Sequence, residues 1–117
     1  MLHKNMDVWK LSMDMVTKVY GITGKFPVEE RFGLSQQMRR AAVSVPSNIA
    51  EGSARKSSNE FIQFLYIALG SLAELETQLL ICDRLGLNHT DLTHDYEMCN
   101  RIRQMLIGLI HYKKDHP

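Results

Sequence analysis

The sequence predicts an all-α fold, an antiparallel up-and-down four-helix bundle formed by a single domain over residues 1–117. Apolar residues recur at spacings of three and four in four successive segments, which is the pattern of a helix with one buried face. Short links containing Gly or Pro separate these segments, and helices joined by short links pack as antiparallel neighbours. No stretch of the sequence alternates with the period of two that a β-strand requires.

The first helix is predicted from about Met6 to Thr23, where Gly24 and Pro27 stop it. Its apolar residues form two stripes that lie side by side. The stripe that we expect to face the core consists of Met6, Trp9, Met13, Val16 and Tyr20, and the second consists of Val8, Met15, Val19 and Ile22.

The second helix is predicted from about Glu29 to Gly52, with Gly33 separating a short lead-in turn from the main helix. Pro46 lies deep in this segment. A proline inside a helix removes one backbone donor and clashes with the preceding turn, so a kink is expected there. The buried face consists of Leu34, Met38, Ala41, Val45 and Ile49.

The third helix begins with a capping box, in which Ser57 and Glu60 each cover a free backbone amide, and ends at Gly86. Its inner seam follows spacings of four and three, as in bundle packing: Phe61, Leu65, Ala68, Leu72, Leu75, Leu79 and Cys82. The fourth helix is predicted from about Thr90 to Lys113, and its apolar stripe consists of Leu92, Tyr96, Cys99, Ile102, Leu106 and Leu109.

The third helix carries a second apolar stripe beside its seam, as the first helix does. A helix in a monomeric bundle needs one apolar face, so a doubled stripe indicates packing against another subunit. The predicted interface of a homo-oligomer consists of Ile62, Tyr66, Leu69 and Ala73 with Val8, Met15 and Val19. The alternative, that the second stripes complete a wide monomer core, stays open.

The second helix places polar and charged residues where a core is expected. Buried polar groups must be paired, so we predict a structural network in which Asn48, Glu51 and Arg40 meet Glu74 or Glu76. Residues 31–56 hold five cations against one carboxylate, a local charge of +4, although the chain as a whole carries only +1. The proposed nucleic-acid contacts are Arg39, Arg40, Arg55 and Lys56, with a purely structural role of the arginines as the alternative.

No constellation in the sequence predicts an enzyme. His94 and Glu97 have the spacing of half a di-metal site, but such a site needs a second Glu-x-x-His pair and two further carboxylates. We therefore predict no catalytic residues, no metal and no cofactor. Without an apolar N-terminal segment or a membrane-spanning run, we expect a cytoplasmic protein that does not enter a membrane.

The centre of the sequence carries a specific motif: Gly33-Leu34, Gln37, Arg39-Arg40-Ala41, Ser44, Pro46, Asn48-Ile49-Ala50-Glu51-Gly52, Arg55 and Glu60-Phe61, followed by Ala68 to Leu79. It closely resembles the four-helix-bundle proteins encoded in intervening sequences of bacterial large-subunit (23S) ribosomal RNA genes. Those proteins are related to the accessory variability protein of diversity-generating retroelements.

The resemblance implies a ring of subunits, with five as the expected number, and no established general function. The retroelement branch implies binding of nucleic acid and of a reverse transcriptase. The leading hypothesis is a non-enzymatic oligomer that binds RNA or DNA through the basic surface near the second helix. The alternative is a protein-interaction scaffold that presents the acidic residues 57–100, which carry a local charge of −6, to a protein partner.

Overall fold

The structure is a computed structural model that describes residues 2–117. Its regular elements in that range are all helices, and it contains no strand there. Four helices follow one another: α1 (Asp7–Thr23), α2 (Leu34–Ser53), α3 (Ser58–Arg84) and α4 (Thr93–Asp115). Two short 3₁₀ turns precede α1 and α2, at His3–Asn5 and Val28–Glu30. The predicted all-α fold and its four helices are therefore confirmed, and Gly33 does separate a lead-in turn from α2.

The helices form an elongated bundle in which each contacts two neighbours. Contacts join α1 to α2, α2 to α3, α3 to α4 and α4 to α1, so α1 lies diagonally opposite α3. Consecutive helices run antiparallel. Gly52 at the end of α2 lies against Phe64 near the start of α3, and the earlier Ser44 meets the later Ser71. Helices α3 and α4 are joined in the same way, by Glu76 with Arg103 and by the earlier Tyr66 with the later Lys114. The molecule therefore has two broad opposite sides, an α1/α2 face and an α3/α4 face.

The seam of α3 fills the centre of the bundle. All of its predicted members are buried: Phe61, Leu65, Ala68, Leu72, Leu75, Leu79 and Cys82. The Ser57 hydroxyl accepts a hydrogen bond from the Glu60 amide at 3.2 Å, which is the N-cap half of the predicted capping box. At the other end, Gly86 adopts a left-handed conformation with φ of 67°, which stops α3 at little steric cost.

Helix α2 packs closely on α3, and Gly52 permits the approach. A Cβ atom at Gly52 would lie 2.6 Å from the Cβ of Phe64 and 2.9 Å from a ring carbon of Phe61, so any side chain there would separate the two helices. Helix α2 continues as one element from Leu34 to Ser53 through the buried Pro46, and the kink expected at that residue stays a prediction.

Helix α1 faces the core with a different stripe from the predicted one. Its buried residues are Val8, Ser12, Met15, Val19 and Thr23. Met13 and Tyr20, which were expected inside, are 41% and 44% exposed. The hydroxyls of Ser12 and Thr23 donate to the carbonyls of Val8 and Val19, each at 2.7 Å, so these two polar residues can occupy the core.

Candidate nucleic-acid interface

The four cations predicted to contact nucleic acid do not form one surface. Arg39 and Arg40 lie in the second turn of α2, whereas Arg55 and Lys56 follow its last residue. At a rise of about 1.5 Å per residue, the two pairs are separated by roughly 24 Å along the helix. Within one molecule the four cations therefore form two sites at opposite ends of α2, not the single patch that the sequence predicts, and their contact with nucleic acid stays a prediction.

The first site, which we call the arginine corner, consists of Arg31, Arg39 and Arg40 with the aromatic side chains of Tyr20 and Phe32. These residues line one open cavity of about 360 Å³ between α1 and the start of α2. Three guanidinium groups within one cavity wall provide paired N–H donors suited to phosphate oxygens.

Arg39 is held in a fixed position within the arginine corner. Its Nε donates to the Thr23 Oγ1 at 2.8 Å, and its guanidinium carbon lies 4.4 Å from the centre of the Tyr20 ring. Such a cation–π contact restrains the arginine without neutralising its charge. The terminal N–H groups of Arg39 are thus presented from a rigid support, with Arg40 exposed beside them.

Aromatic surface lies next to these arginines. Phe32 is 83% exposed, an unusual state for so large an apolar side chain, and Tyr20 is partly exposed. Exposed rings beside guanidinium groups can stack on nucleic-acid bases while the arginines bind phosphates. Sequence reasoning missed this pairing of rings with Arg39 and Arg40, because Tyr20 comes from α1 and reaches α2 only in the folded chain.

The second cationic site lies where α2 passes into α3. Arg55 and Lys56 line a cavity of about 320 Å³ together with Lys113 from the end of α4. Arg55 forms an ion pair with Glu51 at 3.5 Å, one helical turn earlier. This site therefore combines residues from two distant parts of the sequence, and the prediction did not include Lys113.

The polar network predicted around α2 does not form, because its residues make hydrogen bonds and ion pairs with other side chains and carbonyl groups. The Asn48 side-chain amide donates to the Ser44 carbonyl and hydroxyl at 2.8 and 2.9 Å, and the Ser44 hydroxyl lies 2.8 Å from that of Ser71. This chain of hydroxyl and amide groups links α2 to α3. Two small serines, rather than the longer acidic residues, make the interhelical contact.

The acidic residues of the predicted network pair with side chains outside that network, either in their own helix or in a neighbouring one. Glu74 accepts from Gln78 on the same helix at 3.4 Å. Glu76 forms an ion pair with Arg103, which connects α3 to α4. Because Glu51 pairs with Arg55, none of the three carboxylates meets Arg40 or Asn48 in the described part of the chain.

Part of the predicted oligomer interface lies in the chain's own core. Val8, Met15, Val19 and Ile62 are buried within one molecule, so they are not available to another subunit and this part of the prediction is wrong. The rest of the α3 stripe remains accessible: Tyr66 and Ala73 are exposed, and Leu69 is half-buried. Two further exposed apolar residues, Leu80 of α3 and Ile107 of α4, extend it.

The opposite side of the bundle is apolar as well. Trp9, Met13 and Val16 of α1 border a shallow groove with Val43 and Pro46 of α2, and its lining is almost entirely apolar. These α1 residues belong to the stripe that was expected to face the core. The molecule therefore presents one apolar surface on its α1/α2 face and a different one on its α3/α4 face.

Metal ligands and cysteine thiols are two kinds of catalytic group that can be located in the described residues. No group of three or more His, Cys, Asp or Glu side chains within residues 2–117 is arranged to hold a metal ion. Burial, followed by the charge of Asp83, raises the pKa of Cys82 to about 11, and burial raises that of Cys99 to about 12. Both thiols therefore stay protonated at neutral pH, the unreactive form.

Helix α3 is long and apolar enough to cross a membrane by length and composition alone. Only 33% of its most apolar window is buried inside the molecule. Since the central helix of a helical bundle passes the same test, this is weak evidence for a membrane. The exposed side chains of Tyr66, Ile67, Leu80 and Ile81 show that the other three helices leave much apolar surface of α3 uncovered.

Comparison with known proteins gives two findings. A family model described as 23S rRNA-intervening sequence protein matches residues 4–108. A solved structure from Bacteroides thetaiotaomicron VPI-5482, described as a protein with unknown function from the S23 ribosomal protein family, is similar over 89% of this chain and 95% of its own. The two share 26% sequence identity with a TM-score of 0.75. No curated protein matches the chain.

Proposed function

The chain belongs to the 23S rRNA-intervening sequence protein family, and we propose that it is a non-enzymatic homo-oligomer that binds RNA or DNA through the arginine corner. The observation that carries this proposal is the convergence of Arg31, Arg39 and Arg40 on one cavity with Tyr20 and Phe32. Guanidinium groups supply phosphate contacts, and the exposed rings supply stacking surfaces for unpaired bases. In this proposal the protein acts in the cytoplasm, together with cellular nucleic acid.

Assembly is supported by the two apolar faces. The α1/α2 groove and the α3/α4 surface are different from each other and lie on opposite sides of the bundle. When the α3/α4 surface of one copy covers the α1/α2 groove of the next, the contact is head-to-tail, and repetition of a head-to-tail contact closes into a ring when the rotation permits. Five subunits is the number that the family resemblance implies.

A ring would also compensate for the weak charge of a single chain. One protomer carries a net charge of only +1, and three arginines make few phosphate contacts. Repeating the arginine corner around a ring lets one nucleic acid engage several copies, which raises the overall affinity without new contacts. Oligomerisation and nucleic-acid binding are therefore linked in this proposal.

A protein-binding scaffold is the second candidate function, and the surface of α3 favours it. Ile67, Ile81 and Leu85 are exposed on α3 outside the α3/α4 stripe. Asp83 and Asp91 add negative charge near the end of α3 that carries Ile81 and Leu85. A partner protein with apolar and basic residues would suit this surface. Affinity capture with and without nuclease separates the candidates, because a protein partner is retained after nuclease treatment.

A fluorescence-anisotropy titration with a structured RNA and with single-stranded DNA, at two salt concentrations, tests the nucleic-acid proposal. The double variant Arg31→Gln/Arg40→Gln should weaken binding and reduce the dependence of log Kd on log salt by about one unit for each phosphate that is no longer bound. Arg101→Gln, an exposed arginine on α4, is the matched control and should bind like the parent protein. Absent binding, or binding that salt does not weaken, would contradict the proposal.

A further inference from the structure

The cavity at the α2–α3 link has a lining that favours an anion. Three cations, Arg55, Lys56 and Lys113, contribute to its wall. The other polar lining residues all carry a hydroxyl group: Ser53, Ser57, Ser58 and Tyr112. None of the described residues that line it carries a carboxylate. The wall therefore supplies positive charge and hydrogen-bond donors without a competing negative group.

Two of the three cations are positioned by aromatic rings. The guanidinium carbon of Arg55 lies 4.8 Å from the centre of the Phe64 ring, and the Lys113 ammonium lies 5.5 Å from that of Phe61. Both rings belong to α3, so the first turns of this helix hold a cation from the preceding link and another from the distant end of α4. Contacts of this kind restrain a side chain and leave its charge available to a ligand.

Positive charge remains in excess at this cavity. Arg55 is balanced by Glu51, which lies outside the lining. Lys56 and Lys113 have no carboxylate within ion-pairing distance in residues 2–117. Two uncompensated ammonium groups beside one cavity match the charge of a phosphate monoester, about −1.5 to −2 at neutral pH.

Three residues of the lining are apolar, Phe61, Leu109 and Met6, and we call them the apolar floor of the cavity. The volume of about 320 Å³ is at the lower end for small-molecule sites. An apolar floor strengthens the attraction between charges above it because it lowers the local dielectric constant. It also provides a surface for a planar or apolar group attached to the phosphate.

The start of α3 adds to this arrangement but does not define it. A helix N-terminus carries partial positive charge and amides without a partner inside the helix. The close packing at Gly52 fixes the link relative to α3, because any Cβ there would strike Phe64. The cations from the link and from α4 are what distinguish this end of α3 from other helix ends.

From these features, we propose that the cavity binds the terminal phosphomonoester of a nucleotide, either at the 5′ end of a nucleic acid or in a free mononucleotide. Lys56 and Lys113 contact the phosphate oxygens, with Arg55 as a third positive group, and the base or sugar lies against the apolar floor. The site is independent of the arginine corner, about 24 Å away along α2 at 1.5 Å per residue, and does not require the proposed function to hold.

Isothermal titration calorimetry of the full chain with 5′-AMP and with adenosine tests the site. AMP should bind and adenosine should not, and Lys56→Gln/Lys113→Gln should weaken AMP binding by about tenfold or more, because each change removes a charge-assisted contact. Lys10→Gln, an exposed lysine on α1 outside the cavity, is the control and should bind AMP like the parent protein. Circular dichroism establishes that both variants are folded.

Two oligonucleotides that differ only in a 5′-phosphate or a 5′-hydroxyl identify the source of the nucleotide. Tighter binding of the phosphorylated strand assigns the site to a nucleic-acid end, and binding of AMP alone assigns it to a free nucleotide. Equal binding of AMP and adenosine, no saturation by AMP at millimolar concentration, or an equal loss in Lys10→Gln would overturn the proposal. A failure of Arg31→Gln/Arg40→Gln to affect RNA binding bears on the arginine corner alone.

Discussion

Helices α1 and α3 carry the same kind of doubled apolar pattern but bury it differently. In α3 the regular seam is completely buried, and the adjacent stripe lies largely at the surface. In α1 the more continuous apolar stripe lies toward the surface, and the core is filled by a stripe that includes Ser12 and Thr23. Periodicity therefore shows how many apolar stripes a helix has, but not which one faces inward.

Local hydrogen bonding permits the partly polar stripe of α1 to face the core. A hydroxyl that donates to the carbonyl four residues earlier satisfies itself within its own helix and can then enter an apolar core. Ser12 and Thr23 both form this bond. Because they are polar residues, a pattern of apolar spacings does not predict that they are buried. Helix α3 has no such residue in its seam, where every predicted member is Phe, Leu, Ala or Cys.

The largest effect is expected for a charge placed in the α3 seam. Leu72 is fully buried, so Leu72→Asp should unfold the domain, since an unpaired buried carboxylate costs several kcal/mol and natural domains are stable by only about 5–15 kcal/mol. Far-UV circular dichroism during urea denaturation measures this. A cooperative transition close to that of the parent protein would show that the seam is not the core.

The reversed stripes of α1 predict unequal effects at two methionines two positions apart. Met15→Ala should lower the free energy of unfolding by about 2–5 kcal/mol because Met15 is buried, whereas Met13→Ala should change it by no more than about 0.5 kcal/mol. Urea denaturation of both variants, at a dilution at which the monomer predominates, makes the comparison, because Met13 borders the groove that the proposed assembly would cover. A larger loss of unfolding free energy in Met13→Ala than in Met15→Ala would show that the stripe predicted from the sequence is the one that faces the core.

The outer stripe of α3 is expected to affect assembly rather than folding. Leu80 is 52% exposed, so Leu80→Asp should leave the helical content intact and shift light scattering toward the monomer. Leu69→Asp should weaken both folding and assembly because Leu69 is half-buried against the core. Gln37→Asp, an exposed position on α2 outside the lining of the α1/α2 groove, tests whether added charge alone is disruptive. A parent protein that is monomeric at micromolar concentration would contradict assembly through this stripe.

The smallest effect is expected where α1 meets the arginine corner. Thr23→Val preserves the shape of the buried side chain but removes the oxygen that accepts from Arg39, so it should cost about 1 kcal/mol of stability. It should also release Arg39 and weaken RNA binding. Ser12→Ala is the control, because it removes a comparable helix-internal hydroxyl far from Arg39 and should leave RNA affinity unchanged.

Much of the fold could be predicted from the sequence, because local patterns decide it. Spacings of three and four locate the four helices. Ser57 lies one residue before the start of α3 at Ser58, and Gly86 lies two residues after its end at Arg84. The α3 seam follows from the same periodicity, and every one of its predicted members is buried. The fourth helix begins three residues later than expected, at Thr93, directly after the buried Leu92.

The candidate sites could be predicted only in part, because they depend on distances between helices. Arg39, Arg40, Arg55 and Lys56 were identified as cations, but the length of α2 separates them into two sites. The helices, their ends and the number of apolar stripes are readable in the chain alone, because they arise from interactions over a few residues. Which stripe of α1 is buried, and which distant side chains complete each cationic site, such as Tyr20 and Lys113, depends on how the helices pack together.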